Sequence, residues 1–419
     1  MDNSKEIYDP LHGYINLSPL AIKIINTPEF QRLREIKQLG TTYLVFPSAT
    51  HTRFEHSLGV YHLCNEMLEK INKKQPQLGL SKKLIELIKI AGLVHDLGHG
   101  PFSHLYDICS TNEKHEDRSK KIFRKIANNV SYNLQLSKDN INFICDCIDP
   151  PENKKNIWYY QIVSNKINTI DVDKIDYILR DAYHIGISIS ISNDYKRLFD
   201  VFITVDKETK TSYLTFNAKT QFDIYNLFLS RYRLNKMVYT HHSVKSFEYL
   251  IIPVLQEIVK NNNTDFLDLT DSFVLNYVSK KSIKNILKHN IYTRQVPKLI
   301  NEITIQKQNI ISKLFDETFY EGLLTTFDIF DSIKEDYIIE RTLIGFSNNV
   351  ENPLNNIYYY DNNNEHDNIS LVNPQKYSFI VPEFHNELIL RLYSRENKEQ
   401  KIIKGKDIWN YILIFLNLK

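Results

Sequence analysis

A chain of 419 residues, 42% hydrophobic and 24% charged, can bury a large core, and its length allows two or three domains. A formal net charge of +2 with a pI near 8.1 excludes the global basic field on which non-specific nucleic-acid binding depends, so phosphate recognition must be local. Cys64, Cys109, Cys145 and Cys147 are too few and scattered for a disulfide framework, the N-terminus is polar, and no apolar run approaches the roughly 18 residues of a membrane span. Together these features predict a protein of a reducing compartment, cytoplasm or nucleus, neither secreted nor held in a membrane.

In chain order, apolar residues recur at helical spacing over 18–39, 54–72, 84–97, 117–128, 158–183, 221–261 and 270–315, so most of the chain is expected to be α-helical. Val201–Val205 and Ser212–Phe216, joined by the charged turn 206–210, read as a hairpin. A small sheet is expected to use 338–346, 357–360 and 377–381 as well, and helices over 383–395 and 408–418 would close a C-terminal α+β lobe. Residues 261–263 and 361–367 read as polar loops. The expected division is a helical core over 1–320 and the C-terminal lobe over 321–419.

The chemistry concentrates in four segments. Thr52-Arg-Phe-Glu-His-Ser-Leu-Gly59 offers His56, with Arg53 one turn earlier, and Ala91-Gly-Leu-Val-His-Asp-Leu-Gly-His-Gly-Pro-Phe-Ser-His104 sets His95 beside Asp96 at the end of an apolar helix. Imidazole and carboxylate together suit divalent Mn, Fe, Zn or Mg. His115, with Glu116, lies in a polar run with no structural reason to be histidine. In Ile170-Asp-Val-Asp-Lys-Ile-Asp-Tyr-Ile-Leu-Arg-Asp181, the residues Asp173, Tyr177 and Asp181 are four apart and share a helix face, as do Arg231, Asn235 and Tyr239 further on. Singly, each of these is an ordinary polar side chain.

In order and with their flanks, these motifs resemble the HD-domain deoxynucleoside triphosphate triphosphohydrolases, and in particular the vertebrate branch that joins a sterile-alpha-motif domain, not found in this sequence, to the HD domain. The similarity runs from Tyr8-Asp-Pro-Leu-His-Gly13 to Pro382-Glu-Phe-His-Asn-Glu-Leu388. It implies an HD-domain helical core, with metal-dependent hydrolysis of a dNTP to deoxynucleoside and inorganic triphosphate. His56, His95, Asp96 and Asp173 would hold the divalent ion. His115, oriented by Asp107, would act with His99 on the reacting phosphate or the leaving oxygen. His99 and His104, with Arg53, Lys174 and Arg231, would hold the triphosphate, and Tyr239 would face the base. Asn235 stands where the vertebrate branch has histidine, which weakens a phosphate contact because an amide adds no charge. Tyr177, Asp181, Gln38 and Leu39 would select the sugar, the ring leaving no room for a 2′-hydroxyl. Base selectivity is not legible, and acceptance of several dNTPs is expected.

The resemblance also implies a homo-oligomer, dimer or tetramer, and nucleotide activators between subunits. Lys5, Asp9, Gln31 and Arg34 match one such site, while Arg197, Lys219, His241 and His242 lie where a second would be built. Asn26 replaces the aspartate that reads guanine, so guanine selectivity there should weaken; alternatively Asn26 simply caps the helix beginning at Thr27-Pro28. Two other readings compete. An HD-type phosphodiesterase or nucleotide phosphatase is opposed by the triphosphate set. A nucleotide-sensing or single-stranded nucleic-acid-binding protein, for which 26 tyrosines offer stacking surfaces, is opposed by the intact metal quartet.

Overall fold

The computed structural model describes residues 4–110, 113–191, 193–205, 211–261, 264–277, 281–319, 333–347, 352–360, 370–371, 381–382 and 384–418. The fold is mostly α with small sheets, as the periodicity predicts. The chain forms two compact units, interleaved in sequence: 1–231 with 262–274 and 351–383, and 232–261 with 275–350 and 384–419.

The first unit opens with an antiparallel hairpin, Lys5–Asp9 with Gly13–Leu17. Its centre is the helix Arg53–Lys74, started by a capping box in which Glu55 reaches back to the Thr52 N–H at 3.0 Å. Leu58, Leu63, Leu68 and Ile71 are at most 3% exposed, because the helices Lys82–Val94 and Val172–Ile185 pack against it. The expected hairpin forms, with Val201 opposite Phe216 and Val205 opposite Ser212. Tyr358–Tyr360 joins it in parallel, followed by Ser370–Leu371.

In the second unit, Asn386–Ser394 is the middle strand of an antiparallel sheet between Lys298–Ile305 and Tyr337–Gly345. The helices Gln308–Phe315 and Glu399–Phe415 cover the sheet, burying Leu388, Leu390, Leu392, Leu314, Ile408 and Ile412. This corrects the expected helix over 383–395, of which Glu383 lies outside the described residues. The middle strand is paired on both edges and buried on both faces, so Leu388, Ile389, Leu390, Leu392 and Tyr393 are apolar without the alternation that would separate a strand from a buried helix. The same ambiguity hid the strand Lys298–Ile305 inside the 270–315 pattern. The pattern over 158–183 resolves into a 3₁₀ turn, Trp158–Gln161, and the helix Val172–Ile185. The single extra sheet is also corrected, since 337–345 and 358–360 belong to different sheets. The turn 206–210, residues 262–263 and 361–367, and the expected strand residues 377–380 lie outside the described residues.

Candidate active site

Three backbone features aim the side chains. The capping box places Arg53 and His56 in the first turn of their helix. His95 and Asp96 directly follow the end of Lys82–Val94. Asp171 N-caps the helix Val172–Ile185, its carboxylate accepting from the Lys174 N–H at 2.9 Å, and thereby sets Asp173 in the first turn.

These elements bring four predicted side chains together. His56 Nε2 lies 3.0 Å from Asp173 Oδ1 and 3.6 Å from Asp96 Oδ2, and His95 Nε2 lies 3.3 Å from Asp96 Oδ1 and 3.5 Å from Asp173 Oδ1. Candidate ligand atoms of His56, His95 and Asp173 all fall within 4.8 Å of one another. His95 Nδ1 meets the Gly92 carbonyl at 2.7 Å, so Nε2, buried and in no well-formed hydrogen bond, is turned toward the Asp96 and Asp173 carboxylates, which push the ring's pKa up against burial. An orphaned imidazole nitrogen facing two carboxylates is the donor set a divalent ion takes. Burial opposes charge on His56, but the carboxylates of Asp173 and Asp176 outweigh it and push the ring up to about 10. Asp96 is held well below the carboxylate range against burial, chiefly by Arg53, whose Nη1 lies 2.5 Å from Asp96 Oδ2.

A second cluster adjoins the first through His99, whose Nε2 is 3.3 Å from Asp96 Oδ1. The His99 and His115 rings stack with centroids 4.1 Å apart. His115 Nδ1 lies 3.1 Å from Asp107 Oδ2, and Arg118 pairs with the other oxygen of that carboxylate. His104 is exposed, its Nδ1 3.8 Å from Asp107. Burial, with the charges of Arg53 and His115, holds His99 neutral. Gly98 makes this approach possible, since a Cβ there would sit 2.1 Å from the His115 carbonyl. Phe102 and Ser103 both have positive φ, at 58° and 55°, a costly conformation for L-residues. It is held by Asp271, which accepts from the Phe102 N–H at 2.7 Å, and by Ser103 Oγ, which donates to the Lys37 carbonyl and accepts from Arg53 Nε.

Gln38 and Asp181 meet around His51. The Gln38 N–H donates to the His51 carbonyl at 2.9 Å, and His51 Nε2 lies 2.7 Å from Asp181 Oδ1. Gln38 Oε1 is buried without a partner, an acceptor facing inward. Leu39 and Tyr177 are half-buried, and Tyr177 hydrogen-bonds Arg231. Lys174 is buried and donates to the Thr169 carbonyl; burial, aided by Arg231 and opposed by Asp171, pulls it down to about 8. Asn235 and Tyr239 belong to the second unit, where the α-helix Gln221–Leu234 gives way to a π turn. The Thr240 N–H bonds Asn235 five residues back, so Tyr239 does not repeat the position of Asn235 as the four-residue spacing predicts.

Among the residues matched to nucleotide activation, Lys5 is exposed, whereas Asp9 is buried and pairs with Arg180 Nη1 at 2.8 Å. Asn26 is exposed and follows the helix Pro19–Ile25 as its C-cap, while Thr27 N-caps Pro28–Gln31; this corrects the reading of Asn26 as that helix's cap. Gln31 donates to the Ile25 carbonyl and accepts from Arg34 Nε at 2.8 Å. Arg197 pairs with Asp223 at 3.0 Å and donates to the Lys219 carbonyl. His241 and His242 stack in the second unit, each pulled below the usual histidine value by burial and by the other charges nearby.

Sequence reasoning missed His12, His51, Arg118, Asp176, Arg180 and Asp271. All but Arg118 and Asp271 lie within or beside the quoted motifs, but their role is to hold other side chains, which spacing does not reveal.

Residues 53–181, the stretch containing both clusters, match the HD domain family. The chain is thus an HD-domain protein. It is 35% identical to protein L394 of Acanthamoeba polyphaga mimivirus, described only by its HD domain, over 93% of this chain and 92% of that one. It is 30% identical to the SAMHD1 homolog of Dictyostelium discoideum, a deoxynucleoside triphosphate triphosphohydrolase, over 95% of this chain and 78% of that protein. With SAMHD1 of Gallus gallus the identity is 32%, over 94% and 72% of the two chains. The chain belongs to the SAMHD1 family of HD-domain deoxynucleoside triphosphate triphosphohydrolases.

Proposed function

We propose that this chain hydrolyses dNTPs to deoxynucleoside and inorganic triphosphate in a metal-dependent reaction. The observation that carries the reading is the convergence of His56, His95, Asp96 and Asp173 around an orphaned imidazole nitrogen, in a chain that aligns with triphosphohydrolases over most of its length. Those four residues would hold a divalent ion, which would supply an activated water and neutralise phosphate charge.

The remaining work falls to side chains. Arg53, Lys174 and Arg231 supply fixed positive charge for the triphosphate, with His99 and His104 as hydrogen-bonding neighbours. As the oxygen of water bonds to the α-phosphorus and the bond to the 5′-oxygen breaks, the leaving oxygen needs a proton. His115 gives it from Nε2, since Asp107 holds Nδ1 and so sets which nitrogen faces the reaction. Tyr177 closes the space of a 2′-hydroxyl, while Asp181, held by His51, accepts from the 3′-hydroxyl and the Gln38 amide N–H donates to it beside Leu39.

The finer reading is a homo-oligomer, dimer or tetramer, acting in cytoplasm or nucleus, with nucleotides as activators through Lys5, Asn26, Gln31 and Arg34 and through Arg197, Lys219, His241 and His242. Among the described residues no helix is long and apolar enough to cross a membrane. The deciding assay incubates the protein with dGTP, GTP, dGMP and a single-stranded oligonucleotide, with and without Mn or Mg. Tripolyphosphate from dGTP alone is expected; phosphate from dGMP, cleavage of the oligonucleotide, or binding without products would overturn the reading.

A further inference from the structure

Behind the metal-facing side of His56 lies a buried polar chain that the reaction itself does not use. His56 Nδ1 meets Asp176 Oδ2 at 2.8 Å, on the side of the ring away from Asp173. The other oxygen of that carboxylate, Asp176 Oδ1, lies 2.6 Å from His12 Nε2, and the side chains of His12 and Asp176 are completely buried. Arg180 binds the same carboxylate with Nε at 2.9 Å and Nη2 at 3.1 Å, and its Nη1 reaches Asp9 at 2.8 Å. Asp9 in turn accepts from the N–H groups of Leu11 and His12, both at 2.9 Å, which folds the turn of the N-terminal hairpin. Space for this chain is provided by Gly59, one turn after His56, where a Cβ would lie 1.9 Å from Asp176 Oδ1 and 2.5 Å from Arg180 Nη2.

We infer that Asp176 and His12 are positioning residues for the metal ligand His56, so that the N-terminal hairpin forms the back wall of the metal site. The inference rests on the proposed role of His56 as a ligand. A buried imidazole can rotate and can carry its proton on either nitrogen; a carboxylate on Nδ1 removes both freedoms and aims the Nε2 lone pair at the ion. One carboxylate facing a histidine does this in many metal sites. Here that carboxylate is itself fixed from two further sides, by Arg180 on its own helix and by His12 from a segment 164 residues away.

The test measures Mn²⁺ binding to the full chain after chelator treatment, by the electron paramagnetic resonance of free Mn²⁺, so that it does not depend on turnover. Asp176→Asn and His12→Ala are expected to weaken Mn²⁺ binding by roughly 10- to 100-fold. His12→Gln, whose amide N–H can still donate to Asp176, is expected to recover most of the affinity. Wild-type affinity in folded His12→Ala and Asp176→Asn would overturn the inference, and His12→Ala alone decides the matter if Asp176→Asn fails to fold. His56→Ala separates the two readings: wild-type Mn²⁺ affinity in that variant would overturn His56 as a ligand rather than its positioning.

Discussion

Arg53 Nη1 lies 2.5 Å from Asp96 Oδ2, and the two side chains are each 5% exposed. A cation assigned to the triphosphate thus also neutralises a carboxylate assigned to the metal. Removing one partner of a buried pair leaves the other charged and uncompensated, at about 3–5 kcal/mol. Arg53→Ala should therefore destabilise the metal-free protein by about that amount, and saturating Mn²⁺, which supplies the missing charge, should recover most of it. Urea unfolding with and without Mn²⁺ checks this; equal losses in both conditions would refute it.

His95→Ala with Asp96→Ala should remove bound metal and reduce triphosphate release to background while the protein stays folded. Both side chains point into the proposed metal site and not into the apolar core, so the cost to stability is that of leaving Arg53 without its partner, about 3–5 kcal/mol, and not the loss of the fold. Metal content, far-ultraviolet circular dichroism and product analysis are the measurements. Turnover retained at wild-type metal content would contradict the assignment.

His115→Ala should lower kcat by about 10²- to 10⁴-fold, the usual contribution of a positioned acid, with metal content unchanged. Asp107→Asn should have a smaller effect in the same direction, because it weakens the hold on Nδ1, along with the ion pair to Arg118, and leaves the His115 ring in place. A variant of His115 with wild-type kcat would remove it from the reaction.

Tyr177→Ala should raise kcat/KM for GTP relative to dGTP by roughly 10- to 100-fold, by opening the space that a 2′-hydroxyl needs. An unchanged ratio means that the ring is not the sugar gate.

Lys174 carries a further consequence for pH. Its ammonium is pulled down to about 8, so above that value the free protein holds it mostly neutral. A bound triphosphate favours the charged form, so binding near pH 9 should take up as much as about one proton per site. Titration calorimetry of tripolyphosphate in buffers of different ionisation enthalpy reads this directly. Lys174→Arg, charged throughout, should bind without that uptake. Equal uptake in both proteins would assign the proton elsewhere.

Asn26 bears on the proposed nucleotide activation. An amide offers guanine one acceptor where a carboxylate offers two, so a donor is left facing a donor. Turnover of dATP or dTTP should therefore proceed without strict dependence on GTP, measured alongside mass by light scattering. Absolute dependence on GTP, with assembly from dimer to tetramer, would show that Asn26 still supports guanine recognition.

The helical character and the individual motifs around His56, His95-Asp96 and Asp173 were legible in the sequence because each is local, whereas their grouping as one proposed ligand set came from the family resemblance, since His56 and Asp173 are 117 residues apart. Apolar residues at helical spacing predict their own helix, and His95 beside Asp96, or Asp173 in a first turn capped by Asp171, lies within one or two turns of its support. What joins distant segments was not legible. The strand Asn386–Ser394 carries an apolar run that reads equally as a buried helix, and only its two neighbours decide between them. The π turn at Asn235–Tyr239 breaks a four-residue spacing that looked continuous. His12, Asp176 and Arg180 have no motif of their own, because a positioning residue is defined by the atom it touches, and the contact of His12 with Asp176 spans 164 residues of chain. Chemistry that one turn can assemble was thus present in the sequence by itself, while the contacts that orient it were decided by tertiary packing.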